Sequence, residues 1–305
     1  MPAPYLALGL AGPHLNELTG SADLLARWDA LPIAFTVLGI DRIDGRGPAP
    51  LTLDSSAVGA ILAGRTSRAR FLVVASPQRD HPYNLARRVA SLGHLSRGRS
   101  GVLFGVADAY AAPGPDATGA WGGAGLGVGA PLTAATALDT ARAVRALEQS
   151  WPYDSIIGDR ETGILVQSDQ IVHIDHDGAY HITGPLNAPE PATGASLIAW
   201  YASTPDDVVA ADSAPVDLVV GVGGSVRIAP LGLRPADSDA GGVLLRPTLD
   251  QSLDEVLTEA ERLLADGFTP VTPGGPLRAA LGLATPARPA GGRAAFPVPE
   301  PQPSL

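Results

Sequence analysis

The sequence of 305 residues contains no cysteine. This absence excludes disulfides, thiolate nucleophiles and cysteine-based zinc sites, and it removes a common mark of small secreted domains. Basic residues are also outnumbered, with 21 Lys and Arg against 31 Asp and Glu and a formal net charge of −10. Because nucleic acids and anionic membranes attract positive charge, the balance argues against either as a partner.

Long apolar runs are missing as well. The first residues, MPAPYLALGLAGPHL, are apolar but lack a preceding basic segment and are too short to span a bilayer. We therefore expect a soluble, cytoplasmic protein, while export by another route stays open. The hydrophobic fraction of 45% suffices for a sizeable core, in one large domain or two small ones.

Apolar strand patterns alternate with helical patterns along the chain. Continuous apolar strands between helices are typical of a parallel sheet covered on both faces. The predicted strands cover residues 5–10, 33–40, 70–75, 101–107, 196–202, 217–222, 226–230 and 242–246. Eight strands are the number that closes a (β/α)8 TIM barrel, an α/β fold.

Three departures from a regular barrel are expected. The connections around strands 6 to 8 are too short for full helices, so the barrel is trimmed there. Residues 151–194 interrupt the alternation of strands and helices. Their turn residues and their stretches of alternating apolar and polar residues predict an excursion with a hairpin between the fourth helix and the fifth strand. Residues 1–288 would form one domain, and the Pro/Gly-rich residues 289–305 predict a poorly ordered tail.

Three stretches then resemble one protein family. They are HPYNLARRVASLGHLSRGR, SWPYDSIIGDRETGILVQSDQIVHIDHDGAYHITGPLNAPEP and GGPLRAALGL. They look like the nitrilotriacetate-monooxygenase-like branch of the luciferase-like flavin monooxygenases. The resemblance implies a TIM barrel that holds reduced FMN or a deazaflavin at the carboxyl ends of its strands. It also implies oxygen, a small organic substrate, a flavin reductase as partner, and a homodimer or a heterodimer with a homologue.

Individual positions depart from the family pattern at the expected cofactor contacts. The family's polar run at the end of the fourth strand corresponds here to the apolar Leu103, Val106 and Ala107. The family's Gln-Ala-Gly-x-Ser-x-x-Gly motif corresponds to the stretch that begins AWYASTPD. Ser203 keeps the hydroxyl that would receive a phosphate, but Tyr201 and Asp206 replace glycines. Acidic residues at this helix start would repel a second anion.

The candidate site residues follow from these positions. His14 and Asp41 are the titratable residues near the first two strand ends, and His81 stands beside the third strand; these three are the catalytic candidates. His14 could equally be a solvent-facing loop histidine. Trp121 or Trp200 could stack on a flavin ring. The cofactor-binding candidates are Ser203, Val106, Ala107, Trp200 and Tyr201.

Other clusters have simpler interpretations. His173 and His176 lie three apart in a predicted hairpin, where neighbours alternate faces, so no metal site is expected. Asp159 in GDRETG fits an anionic-substrate contact or a turn equally well. The arginines at 87, 88, 97 and 99 lack interleaved aromatics, which argues against nucleic-acid binding.

Two functional hypotheses stay open. The first is a luciferase-like flavin-dependent monooxygenase, in which the barrel binds substrate and excludes water while flavin carries the chemistry. The second is a flavin-free barrel homologue that serves as a partner subunit or a small-molecule binder. The replacements at Val106, Ala107, Tyr201 and Asp206 favour the second hypothesis.

Overall fold

The computed structural model describes residues 3–110, 125–126, 131–232, 240–289 and 291–301. The barrel strands are β1 (Tyr5–Leu10), β2 (Thr36–Leu38), β3 (Phe71–Ala75), β4 (Ser100–Phe104), β7 (Leu197–Ala202), β8 (Leu218–Gly221), β9 (Val226–Ala229) and β10 (Gly242–Leu245). These eight parallel strands close a barrel in the order β1-β10-β9-β8-β7-β4-β3-β2, which confirms the predicted fold.

Helices surround the barrel, and most begin at a side-chain cap. Asp54 accepts hydrogen bonds from the N–H groups of Ser56 and Ala57, and Ser252 forms a reciprocal capping box with Glu255. The helices are α1 (Gly12–Gly20), α2 (Ala22–Ala30), α3 (Ser55–Arg65), α4 (Pro82–Ser96), α5 (Ala134–Gln149), α6 (Pro205–Ala211), α7 (Leu253–Ala265) and α8 (Leu277–Ala280). None in the described ranges is long and apolar enough to cross a membrane.

Two element predictions were wrong in detail. Helix α1 was not predicted, because Gly12 and Pro13 were interpreted as a turn; Pro13 instead occupies the first turn of the helix, where its missing N–H costs nothing. The predicted strand 101–107 ends at Phe104, so Val106 and Ala107 lie in the loop that follows β4.

The barrel wall separates two cores. Alternate residues of each strand point inward, and Ala7, Leu72, Leu103 and Leu244 fill the barrel interior. Their neighbours along the strands face the helices, where Trp200 joins a larger apolar cluster. The interior of this barrel is therefore packed with side chains.

The trimming and the excursion are both present. Only residues 222–225 connect β8 to β9, with no helix between them. The excursion contains the predicted hairpin, formed by β5 (His176–Asp177) and β6 (His181–Ile182).

Part of the chain after residue 288 contacts the excursion. Ala294 forms an antiparallel bridge with Val172, and the N–H groups of His173 and Ala295 donate to the carbonyls of Arg293 and Ile171. Residues 293–295 therefore have backbone partners in the excursion.

Candidate active site

The carboxyl ends of the eight strands meet at one side of the barrel, which we call the mouth. In barrels of this type the loops after the strands carry function. The loop after β2 brings Asp41, Arg42 and Asp44 to the mouth, and the loop after β4 brings Asp108 and Tyr110.

His14 lies in the first turn of α1 and is fully buried, so it is not a solvent-facing loop residue. Its Nδ1 accepts from the N–H of Ala11 at 3.3 Å, which leaves the proton on Nε2 to donate to the Gln251 carbonyl at 3.0 Å. Burial lowers the pKa of His14 and outweighs the opposing hydrogen bond to Gln251. The imidazole is therefore neutral at pH 7, and both its nitrogens are already used.

Asp41 is also buried, with 1% of its surface exposed. The hydroxyl of Tyr110 donates to its Oδ2, and the Ala49 N–H donates to the Tyr110 oxygen at 2.7 Å. Burial raises the pKa of Tyr110, and the bond to Asp41 adds to the shift, so the phenol stays protonated. Asp41 Oδ1 has no hydrogen-bond partner in the described part of the chain.

Two buried ion pairs stand beside Asp41. Arg42 Nη2 donates to Asp108 Oδ2 at 2.6 Å, and Arg246 Nε donates to Asp44 Oδ2 at 2.7 Å. All four side chains are at most 6% exposed. Sequence reasoning missed these pairs; the available signal was a charged residue directly after an apolar strand pattern, at Asp108 and at Arg246.

His81 caps helix α4 and lies apart from the other two candidates. Its Nδ1 accepts from the N–H of Tyr83 at 3.1 Å, and its ring meets Tyr180 edge-on at 6.2 Å between centroids. Burial lowers the pKa of His81. No hydrogen bond in the described ranges joins His81 to His14 or Asp41, whereas His14 lies close enough to Asp41 to feel its charge.

The expected phosphate position beside Ser203 is taken by a carboxylate of the chain itself. Asp207 Oδ2 accepts from the Ser203 hydroxyl at 2.8 Å and from the N–H groups of Ser203 and Thr204, both at 2.9 Å. Burial alone would raise the pKa of Asp207, but these hydrogen bonds outweigh it and hold the pKa below its usual value. The sequence predicted that Asp206 and Asp207 would both oppose a phosphate here; Asp207 occupies the donors, whereas Asp206 is exposed.

Trp200 and Tyr201 point to opposite sides of β7. Trp200 is fully buried against the helical layer, where Nε1 donates to the Asp207 carbonyl at 3.0 Å, so its position does not fit stacking on a ligand in the mouth. Tyr201 packs on the barrel-interior cluster and donates from its hydroxyl to the Asp44 carbonyl at 3.3 Å. Trp121, the other stacking candidate, lies outside the described residues.

The histidines of the excursion do not converge. His173 contacts the Gly184 carbonyl at 3.0 Å, His176 contacts Asp139 at 3.1 Å, and His181 contacts Asp177 at 2.8 Å. Asp159 accepts from the N–H of Glu161 and from the Thr162 hydroxyl, which makes it a turn residue.

The described residues do not fit a flavin in this arrangement. The Ser203 donors are occupied by Asp207, and two buried ion pairs lie at the strand ends where a ring system would be expected. A cavity near the mouth, lined by Arg42 and Ser76, measures about 20 Å³, which is the size of one water molecule. Among the described residues, two larger hollows lie at the amino ends of the strands and between α3 and α4.

Comparisons with known proteins bear on the class of protein. No family model matches the sequence. One subunit of the pristinamycin IIA synthase of Streptomyces pristinaespiralis is 28% identical over 256 residues, which are 80% of this chain and 83% of that protein. N-acetyl-S-(2-succino)cysteine monooxygenase of Bacillus subtilis is 30% identical over 158 residues, which are 52% of this chain and 33% of that protein.

Solved structures agree on the fold. A long-chain alkane monooxygenase superposes with a TM-score of 0.54 and 20% identity, covering 72% of this chain and 56% of the other. EDTA monooxygenase from a species of Chelativorans gives 0.53 and 22% identity, covering 88% of this chain and 67% of the other. Several of the relatives are named monooxygenases, which agrees with the class of protein that the sequence resembles.

Proposed function

We propose that this chain is a component of a luciferase-like flavin-dependent monooxygenase, which acts on a small organic substrate with reduced flavin and oxygen. The observation that supports this most is the closed eight-stranded barrel with its excursion between α5 and β7, in a chain whose homologues belong to that class. The more specific nitrilotriacetate-monooxygenase-like branch remains part of the proposal.

The assembly requires partners. A separate flavin reductase would supply reduced FMN or a deazaflavin. A second copy of this chain or a homologous barrel would complete a dimer. The groove between α3 and α4 supports such pairing, because its floor carries the small residues Ser56, Ala57 and Ala60 beside the exposed Leu95. The assembly is proposed to be cytoplasmic.

If this chain itself acts on the substrate, Asp41 has the best claim among the chemical candidates at the mouth. Its Oδ1 is buried and lacks a donor among the described residues, so a substrate N–H or O–H would satisfy it. His14 uses both nitrogens internally, and His81 serves as a helix cap. We retain both as candidates for the walls of the site. Val106, Ala107 and Tyr201 would shape its floor.

Oxygen consumption tests this proposal. The protein is expressed alone and together with a homologous barrel from the same genome, then supplied with NADH, FMN, a flavin reductase and a panel of small organic substrates. We expect substrate-dependent product formation and oxygen uptake above the reductase background in at least one arrangement. Uptake equal to the background, with no oxygenated product in either arrangement, would contradict the proposal.

A second candidate function is favoured by one contact. Asp207 holds the hydroxyl and N–H groups that a flavin phosphate would need, so the chain is suited to act as a flavin-free partner subunit or small-molecule binder. The name of the Streptomyces relative, which is one subunit of a synthase, is compatible with this role. The two candidates differ in which chain holds the cofactor.

A further inference from the structure

Charged and tyrosine side chains at the barrel mouth form two hydrogen-bonded groups. One group contains Asp41, Arg42, Asp108 and Tyr110, and the other contains Asp44, Tyr201 and Arg246. We call the two groups together the mouth seal. Each acidic member contacts a partner from a different strand end: Asp44 contacts Arg246, Asp108 contacts Arg42, and Asp41 contacts Tyr110.

The mouth seal ties four strand ends together. Asp44, after β2, receives Arg246 from the end of β10, and its carbonyl receives the Tyr201 hydroxyl from β7. Arg42, also after β2, reaches Asp108 after β4 and donates to the Thr52 hydroxyl at 3.0 Å. These contacts therefore link the end of β2 to the ends of β4, β7 and β10.

Opening the seal is costly because its charges are desolvated. The side chains of Asp44 and Arg246 are 2% and 3% exposed, and those of Asp108 and Arg42 are 4% and 6% exposed. Separating a buried pair to admit a ligand leaves an uncompensated charge in a poorly solvated place. The phosphate of an incoming FMN could pair with the arginine, but FMN carries no cation that could pair with the aspartate.

We infer that the contacts of the mouth seal persist and keep the barrel mouth closed to a ligand, and that this chain holds no flavin of its own. The inference rests on the second candidate function, that of a flavin-free partner subunit. In that arrangement a homologous chain binds the flavin, and this barrel is the partner of that chain. It assigns to Asp44, Arg246, Asp108 and Arg42 a structural role at a place where related barrels would carry a cofactor.

Flavin titration of the wild-type chain tests the inference directly. Oxidised FMN and anaerobically reduced FMN are added up to about 1 mM, a range that detects even weak binding, and followed by flavin fluorescence and absorbance. We expect no saturable change with the chain alone. Stoichiometric binding to the chain alone would overturn the inference. If the assembly shows no turnover, the proposed function is contradicted, but the result of the flavin titration does not change.

A matched pair of variants tests the seal itself. Arg246→Met removes the guanidinium from the buried pair, while Arg262→Met removes one from exposed contacts with Glu259 and Asp266 on α7. We expect Arg246→Met to lower the melting temperature by about 5 °C or more and Arg262→Met by about 2 °C or less. Equal shifts in the melting temperatures of the two variants would contradict the role given to the mouth seal.

The double variant Asp44→Asn with Arg246→Met separates the effect of a stranded charge from a general failure to fold. Removing both charges should recover part of the melting temperature lost in Arg246→Met, since no charge is then stranded. No recovery would show that the pair is not coupled and would count against the seal.

Discussion

The Asp207 carboxylate lies 2.8 Å from the Ser203 hydroxyl and occupies the hydrogen-bond donors at the start of α6. Ser203 was expected to receive a ligand's phosphate, and the contact shows that the same donors already serve an anion of the chain. The relevant acidic residue is Asp207, which forms the capping box with Thr204, and not its exposed neighbour Asp206.

Asp207→Ala should lower the free energy of unfolding by about 1 kcal/mol, because the start of α6 loses its capping carboxylate. Urea denaturation measures the loss. Asp206→Ala is the matched control on the same helical turn, and it should change stability by less than half as much. Equal losses would mean that general helix-dipole electrostatics, and not the cap, matters here.

The Asp207 contribution should also depend on pH. Its pKa is depressed in the folded state from an ordinary value of 3.8, so the stabilisation is complete above that value and is lost as the pH falls through the folded pKa. The difference in stability between wild type and Asp207→Ala should therefore shrink below about pH 4. A difference that is constant down to about pH 2 would contradict this assignment.

Glu148 should have the opposite pH dependence. It is fully buried, accepts from the Ser196 N–H at 3.0 Å and hydroxyl at 2.6 Å, and burial raises its pKa above 4.5. A raised folded pKa adds stability that is present below the unfolded value and lost as the pH rises through the folded one. Glu148→Gln should flatten this decline, as chemical denaturation at a series of pH values would show.

Glycine positions in the wall and on the surface should respond differently to alanine. A Cβ at Gly101 in β4 would lie 2.6 Å from the Leu197 carbonyl oxygen, so Gly101→Ala should cost about 1–3 kcal/mol. Gly64, near the end of α3, has nothing within 4 Å of its Cβ position. Gly64→Ala should instead stabilise the protein by up to about 1 kcal/mol, through helix propensity.

Removing residues 291–305 should loosen the excursion. The tail supplies backbone partners for Ile171 and His173, and Arg293 pairs with Asp175. We expect faster limited proteolysis within residues 151–194 of the shortened protein, while the barrel strands stay resistant. Unchanged cleavage would show that the tail does not support the excursion.

Local patterns in the sequence predicted most of the fold. Apolar runs located the eight barrel strands, because a strand that is buried on both faces needs apolar residues along its own short stretch of chain. The mouth was harder, because Asp44 and Arg246 are 202 positions apart and no local pattern joins them. Whether Trp200 points to the barrel interior or to the helical layer depends on strand register, which only the closed barrel fixes.

The short connection between β8 and β9 gives the barrel a seam. The two strands share one register pair, Val220 with Val226, and the four residues that join them bring no helix to cover the wall. Local opening begins where few buried contacts oppose it, so amide exchange in the wall is expected to start at this seam.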